Sequence, residues 1–167
     1  MNRREAVVAA FAAVTTSAVL SSPVRAETSE NPEVEPIRQL LRAHDEAFTN
    51  QNLDGVMDCL AAKAVIIGTG PGEIWSGSEE IRGAYEHFFK GFDKGEQHFE
   101  YQFRFGGVSP DMGWLVTAGN VTGKKNGQDL AFPLNLSLVV SKEAGQWKIA
   151  AMHFSTLTGP SGQSEDT

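Results

Sequence analysis

The sequence predicts an α+β domain in which helices precede an antiparallel sheet. Three observations carry this prediction. Apolar residues in the first half of the chain recur at steps of three and four. After "DKGEQ" the apolar period falls to two. The late apolar segments are joined by short turns, not by crossover helices.

The elements follow in order. Residues 1–26, "MNRREAVVAAFAAVTTSAVLSSPVRA", have a basic start, an alanine-rich apolar middle and a small-x-small end, the layout of a secretory leader. "NRREAVV" is also similar to a twin-arginine signal, with Ala6 in place of the usual bulky residue. The apolar stretch is short and mild beside the roughly 20 residues of a membrane span, so no anchor is expected after cleavage. The expected location is periplasmic or secreted. Residues 27–32 read as a flexible lead-in, 33–158 as the folded domain, and 159–167, "GPSGQSEDT", as a disordered tail.

Ile37, Leu40, Leu41 and Phe48 give the first helix its apolar stripe, with Glu33, Glu35 and Pro36 suited to its opening turn. "LDGVMDCLAA" is a second, shorter helix. "AVIIGT" and "EIWSG" are short strands. Ser76 and Glu79 form an S-x-x-E capping box for a third helix carrying Ile81, Tyr85, Phe88, Phe89 and Phe92. Phe99, Tyr101, Phe103 and Phe105 then alternate with His98, Glu100, Gln102 and Arg104 along a strand. "WLVTAGNVTG", "LAFPLNLSLVVS" and "QWKIAAMHFST" complete the sheet, with the Asn-Gly pair of "KKNGQD" marking a hairpin.

Several function classes are excluded by composition and spacing. Removing a leader that carries Arg3, Arg4 and Arg25 against Glu5 moves the formal charge of −7 by two, to −9. Such an acidic domain, with no basic run, is unsuited to nucleic acid. Cys59 is the only cysteine, which rules out an internal disulfide. "GTGPGEIWSG" spaces its glycines as G-x-G-x-G and inserts "EIW" before the helix, so no helix N-terminus meets a phosphate there; Pro71 and Gly72 suit a tight hairpin instead. His44, His87, His98 and His153 lack metal-site spacing, and no serine lies in G-x-S-x-G. No metal or cofactor is expected.

The succession "LLRAHDEAFTNQNLDGVMDCLAAKAVIIGTGPGEIWSGSEEIRGAYEHFF", with the ending "GQWKIAAMHFS", resembles the SnoaL-like branch of the nuclear transport factor 2-like superfamily. The resemblance covers residues 33–158. It implies a cone: a curved antiparallel sheet wrapped around three N-terminal helices, with an internal pocket and, in many members, a homodimer through the outer sheet face. Relatives include isomerases, cyclases, dehydratases, an epoxide hydrolase and domains without chemistry, so function has to be argued from pocket residues.

His44 continues the inward stripe of the first helix, and the resemblance places it where isomerases hold an oxyanion-binding tyrosine. It likewise places Asn135 at the second donor and Thr69 at the catalytic carboxylate, a role threonine cannot fill. Glu73 is a substitute base or a solvated loop acid. Arg104 and Asp45 belong to the residue types of epoxide hydrolysis, but nothing in the sequence places them together. His153 shares strand parity with Trp147, Ile149, Ala151 and Ser155, which puts it in the pocket if the Trp147 face is the inner one. Ala150, Met152 and Phe154 would then make the outer face apolar and call for a second copy. Trp75, Tyr85 and Trp114 are expected to line an apolar cavity or to pack in the core. The expected function is binding of a small, largely apolar molecule through His44, Thr69, Glu73, Trp75, Tyr85, Trp114, Asn135 and His153. The alternative is an isomerase, cyclase or dehydratase acting on a carbonyl through His44, Asn135 and His153.

Overall fold

The computed structural model describes residues 31–156. The expected leader, most of the lead-in, and the tail lie outside them. The element order is α1 (Val34–Thr49), α2 (Leu53–Cys59), β1 (Leu60–Ile67), β2 (Ile74–Ser76), α3 (Gly77–Phe89), β3 (His98–Val108), β4 (Met112–Lys125), β5 (Gln128–Glu143) and β6 (Gln146–Ser155). The strands form one curved, unclosed sheet in the order β2-β1-β6-β5-β4-β3. β3 to β6 pair antiparallel as neighbours. β1 pairs parallel with β6, so the sheet is mixed where the sequence suggested a wholly antiparallel one.

The helices cover one face of the sheet, and the core lies between. Val56 of α2, Ile81 of α3, Val140 of β5 and Ile149 of β6 are its fully buried centre. α2 is shorter than its apolar pattern suggests, because Leu60 turns extended (φ −91°, ψ 148°) and begins β1. Leu60, Ala61, Ala64 and Ile66 are all buried, and an extended chain can place them under the helices. The "GTGPGE" segment is the expected hairpin: Gly68 N–H donates to the Glu73 carbonyl, and Gly72 takes φ +82°. Ser76 caps α3 by position only. The acceptor for its N–H is Glu80 and not Glu79, at 2.8 Å. The β4–β5 hairpin closes on Asn126 and Gly127, whose N–H groups both donate to the Asp93 carboxylate.

Two irregularities decide which side chains face the helices. In β6, Ile149 opposes Val140 while Ala151 opposes Val139, so Ala150 is an extra residue. Trp147, Ile149 and Met152 are therefore inner and buried, whereas Ala151, His153 and Ser155 are outer. The expected shared face of Trp147 and His153 is corrected by this one-residue shift. In β3, Tyr101 opposes Gly119 and Phe103 opposes Ala118, leaving Gln102 extra. Tyr101 consequently reaches α1, while Phe105 stands exposed on the outer face; the single alternation read from the sequence does not persist along β3.

The start of α1 is fastened to the sheet by Glu33, whose carboxylate accepts from Trp147 Nε1 (2.8 Å) and pairs with Lys142 (2.7 Å). The Lys142 contact chiefly, then the indole N–H, lowers the Glu33 pKa. A depressed folded pKa adds stability that is present above the ordinary carboxylate value of about 4.3 and is lost as pH falls through the folded value. Glu33→Gln should thus be less stable than the parent near neutrality, with the gap closing on acidification. Thermal melts across that pH range check this; a gap independent of pH would contradict it.

Candidate functional site

His44 is buried, 8% exposed, because the stripe of α1 turns it toward α3 and the sheet. A buried imidazole needs partners for both nitrogens. Nε2 lies 3.1 Å from the Tyr85 hydroxyl and Nδ1 3.4 Å from Asp45 Oδ1. A carboxylate can only accept, so Nδ1 carries the proton and Nε2 accepts from Tyr85. Phe48 stacks against the ring, and Phe48, Tyr85 and Phe89 pack edge to face or tilted around it.

The polar line continues to the sheet. Asp45 Oδ2 accepts from the Tyr101 hydroxyl at 3.4 Å, and the Arg104 guanidinium lies 3.6 Å over the Tyr101 ring. Tyr85, His44, Asp45, Tyr101 and Arg104 thus form one run of polar groups from α3 across α1 to β3. Asp45 is half open to solvent, its side chain 61% exposed. Its two contacts are long for charge-assisted bonds, so they orient the carboxylate without neutralising it. Burial raises the Tyr85 pKa far above a phenol's usual value. Tyr101 is pushed up to about 12, by burial first and the Asp45 charge second. Both phenols therefore stay neutral and remain proton donors.

The residues singled out from the sequence separate into three places. His44 and Tyr85 meet inside. Thr69 and Glu73 lie in the β1–β2 turn, where the Glu73 carboxylate accepts from its own turn at Gly70 N–H (2.7 Å). Trp75 is inner, packed against the core beside that turn. Asn135, His153 and Trp114 are on the outer face. Asn135 Nδ2 donates to Ser155 Oγ at 3.3 Å, and Trp114 is 50% exposed. His44 and Asn135 consequently stand on opposite sides of the sheet and cannot polarise one oxygen together. His153 is likewise separated from His44 by the sheet.

Sequence reading underused Asp45, Tyr101 and Arg104. Asp45 and Arg104 entered only as residue types of epoxide hydrolysis, and the alternation of β3 hid that Tyr101 and Arg104 share the inner face. The signal that could have found them is the adjacency of imidazole and carboxylate on a helix facing an aromatic strand. Arg104 and Asp45, with no evident relation in the sequence, flank the same phenol in the structure.

The outer face is a second distinct surface. Two rows of paired residues cross it, Ile74, Ile67, His153, Ser137, Val116 and Phe105, and beside them Ser76, Val65, Ala151, Val139, Trp114 and Gly107. Of eight exposed large apolar side chains among the described residues, all but Phe88 lie on this face. Four of them, Val65, Ile67, Trp114 and Val116, line a shallow apolar hollow of ≈ 370 Å³ together with His153.

Comparison with known proteins agrees with this architecture. The model of the SnoaL-like domain matches residues 37–159, and the chain belongs to that family. A ketosteroid isomerase-like protein from Erwinia carotovora atroseptica superposes with a TM-score of 0.63 at 22% identity, covering 77% of this chain and 99% of that one. A nuclear transport factor 2-like protein of unknown function from Pseudomonas putida gives 0.63 at 15% identity, with 80% and 90% covered. A candidate dehydratase of the same superfamily from Streptomyces avermitilis gives 0.65 at 14%, with 75% and 97% covered. At such identities these likenesses show the fold alone. No curated protein matches the chain significantly.

Tyr85→Phe keeps the ring but leaves buried Nε2 of His44 without its donor. The loss should be about 1–3 kcal/mol of unfolding free energy. Urea denaturation measures it, and an unchanged midpoint would show that the Tyr85–His44 bond contributes nothing.

Proposed function

We propose that this chain is an exported protein that binds a small, largely apolar molecule on the inner face of its sheet, beside His44, Asp45 and Tyr101. The observation that carries this reading is the polar run from Tyr85 to Arg104 inside an otherwise aromatic environment. Phe48, Phe88, Phe89 and Phe99 supply apolar contact nearby, and the Tyr101 hydroxyl, held only by a long bond to Asp45, can turn its proton to a carbonyl or hydroxyl oxygen. Tyr101 is the more accessible phenol, half-buried where Tyr85 is buried, so it is the donor a ligand oxygen meets first.

A second reading, acid/base chemistry on a carbonyl-bearing molecule, is favoured by Asp45. Thr69 cannot act as the base, but Asp45 is a carboxylate held between an imidazole and a phenol. It could take a proton while Tyr101 donates to the developing oxyanion. His44 would orient Asp45 in that scheme. The dehydratase and isomerase names attached to structural neighbours are consistent with this reading but do not carry it.

The outer face is proposed as the contact between two copies of the chain. An apolar, nearly uncharged surface crossing a whole sheet is what an isologous pair would bury.

Two experiments test these proposals. Ligand-observed NMR of the mature protein against a library of small apolar ketones and alcohols should give binders, and Tyr101→Phe and Asp45→Asn should weaken them several-fold. Binding insensitive to both substitutions but abolished by Trp114→Ala would move the site to the outer hollow. Separately, sedimentation at tens of micromolar should show a dimer, and Val116→Asp should convert it to monomer because a charge would be desolvated in the contact. A monomeric parent protein would rule the dimer out.

A further inference from the structure

We propose that the molecule bound at this inner site carries an anionic group, a carboxylate in the simplest case, and that Arg104 recognises it. This inference deepens the ligand-binding reading and rests on it. Arg104 opposes buried Thr117 in the β3–β4 register, which places it on the inner face with Tyr101 and Asp45. Its guanidinium carbon Cζ lies over the Tyr101 ring, 3.6 Å from the centroid. Stacking uses the faces of the guanidinium and leaves its N–H donors free at the edge.

Those donors have no acidic partner among the described residues. Arg38 and Arg42 pair with Glu35, and Arg82 pairs with Asp54, whereas no carboxylate lies within ion-pair distance of Arg104. This is unexpected in a chain with 21 acidic against 14 basic residues. The nearest acid in the cluster, Asp45, is engaged at the opposite end of the phenol with His44 and the Tyr101 hydroxyl. Tyr101 thus holds the guanidinium and the carboxylate apart, so that neither neutralises the other. A bidentate acceptor such as a carboxylate matches the free edge of Arg104. The Asp45 charge would repel that same group from the phenol end, which fixes the direction in which such a ligand lies. A neutral oxygen on the ligand would face Tyr101, and the anion would face Arg104.

The test compares 2-naphthoate with 2-naphthamide, probes of equal ring and size that differ in charge, by titration calorimetry on the mature chain at low salt. The expected result is that naphthoate binds at least about tenfold more tightly. Arg104→Gln should abolish that preference by weakening naphthoate far more than naphthamide, and a circular-dichroism spectrum and thermal melt like the parent's show that the variant is folded. Arg104→Lys should retain part of the preference. Naphthoate and naphthamide binding equally to the parent protein, or the preference persisting in Arg104→Gln, would overturn the role of Arg104 and leave the ligand-binding reading standing. Binding of neither probe to the parent protein would overturn both.

Discussion

A histidine can sit inside an aromatic core only if each ring nitrogen finds a partner. In this chain that requirement ties three elements together. Tyr85 reaches His44 from α3, Asp45 adjoins it on α1, and Tyr101 meets Asp45 from β3. An apolar residue at position 44 would be the simpler way to fill the same space. The imidazole instead brings a carboxylate and two phenols into one line, which is why the proposed site is placed here and not at the glycine-rich turn or the outer histidine.

The sidedness of β3 and β6 is set by two single extra residues. Ala150 lets β6 present Trp147 and Ile149 to the helices at one end and Met152 at the other, and it turns His153 outward. Gln102 does the same for β3, sending Tyr101 and Arg104 inward and Phe105 outward. The β6 bulge leaves no mark in the sequence, because both phases of "WKIAAMHF" offer apolar residues, and the β3 bulge is hidden by a strict alternation in "FEYQFRF" that the register breaks at Gln102. The helices, the hairpin turns and the inward direction of His44 were readable from the chain, since each rests on local spacing. The parallel pairing of β1 with β6 was not, because it joins segments some 85 residues apart and no turn announces it.

The same limit explains which candidate residues came together. His44 and Tyr85 lie on helices, where steps of three and four fix a face unambiguously. Asn135 and His153 lie on long strands, where one inserted residue reverses the assignment for everything beyond it. Membership of the SnoaL-like family is consistent with an inner site on such a scaffold without specifying its contents. The contents are local features of this chain: a threonine at the hairpin, a carboxylate next to the buried imidazole, and an arginine stacked on a phenol with no acidic partner among the described residues.

His44 is locked between Asp45 and Tyr85 with its proton on Nδ1. Nitrogen-15 spectra of the histidine side chains, recorded where the imidazoles are neutral, report the tautomer of each ring directly. The Nδ1–H form is predicted for His44, with the Nε2 resonance shifted by a hydrogen bond from a phenol. An Nε2–H tautomer for His44, or a ring averaging between the two forms as in free solution, would contradict the arrangement on which the inner site depends.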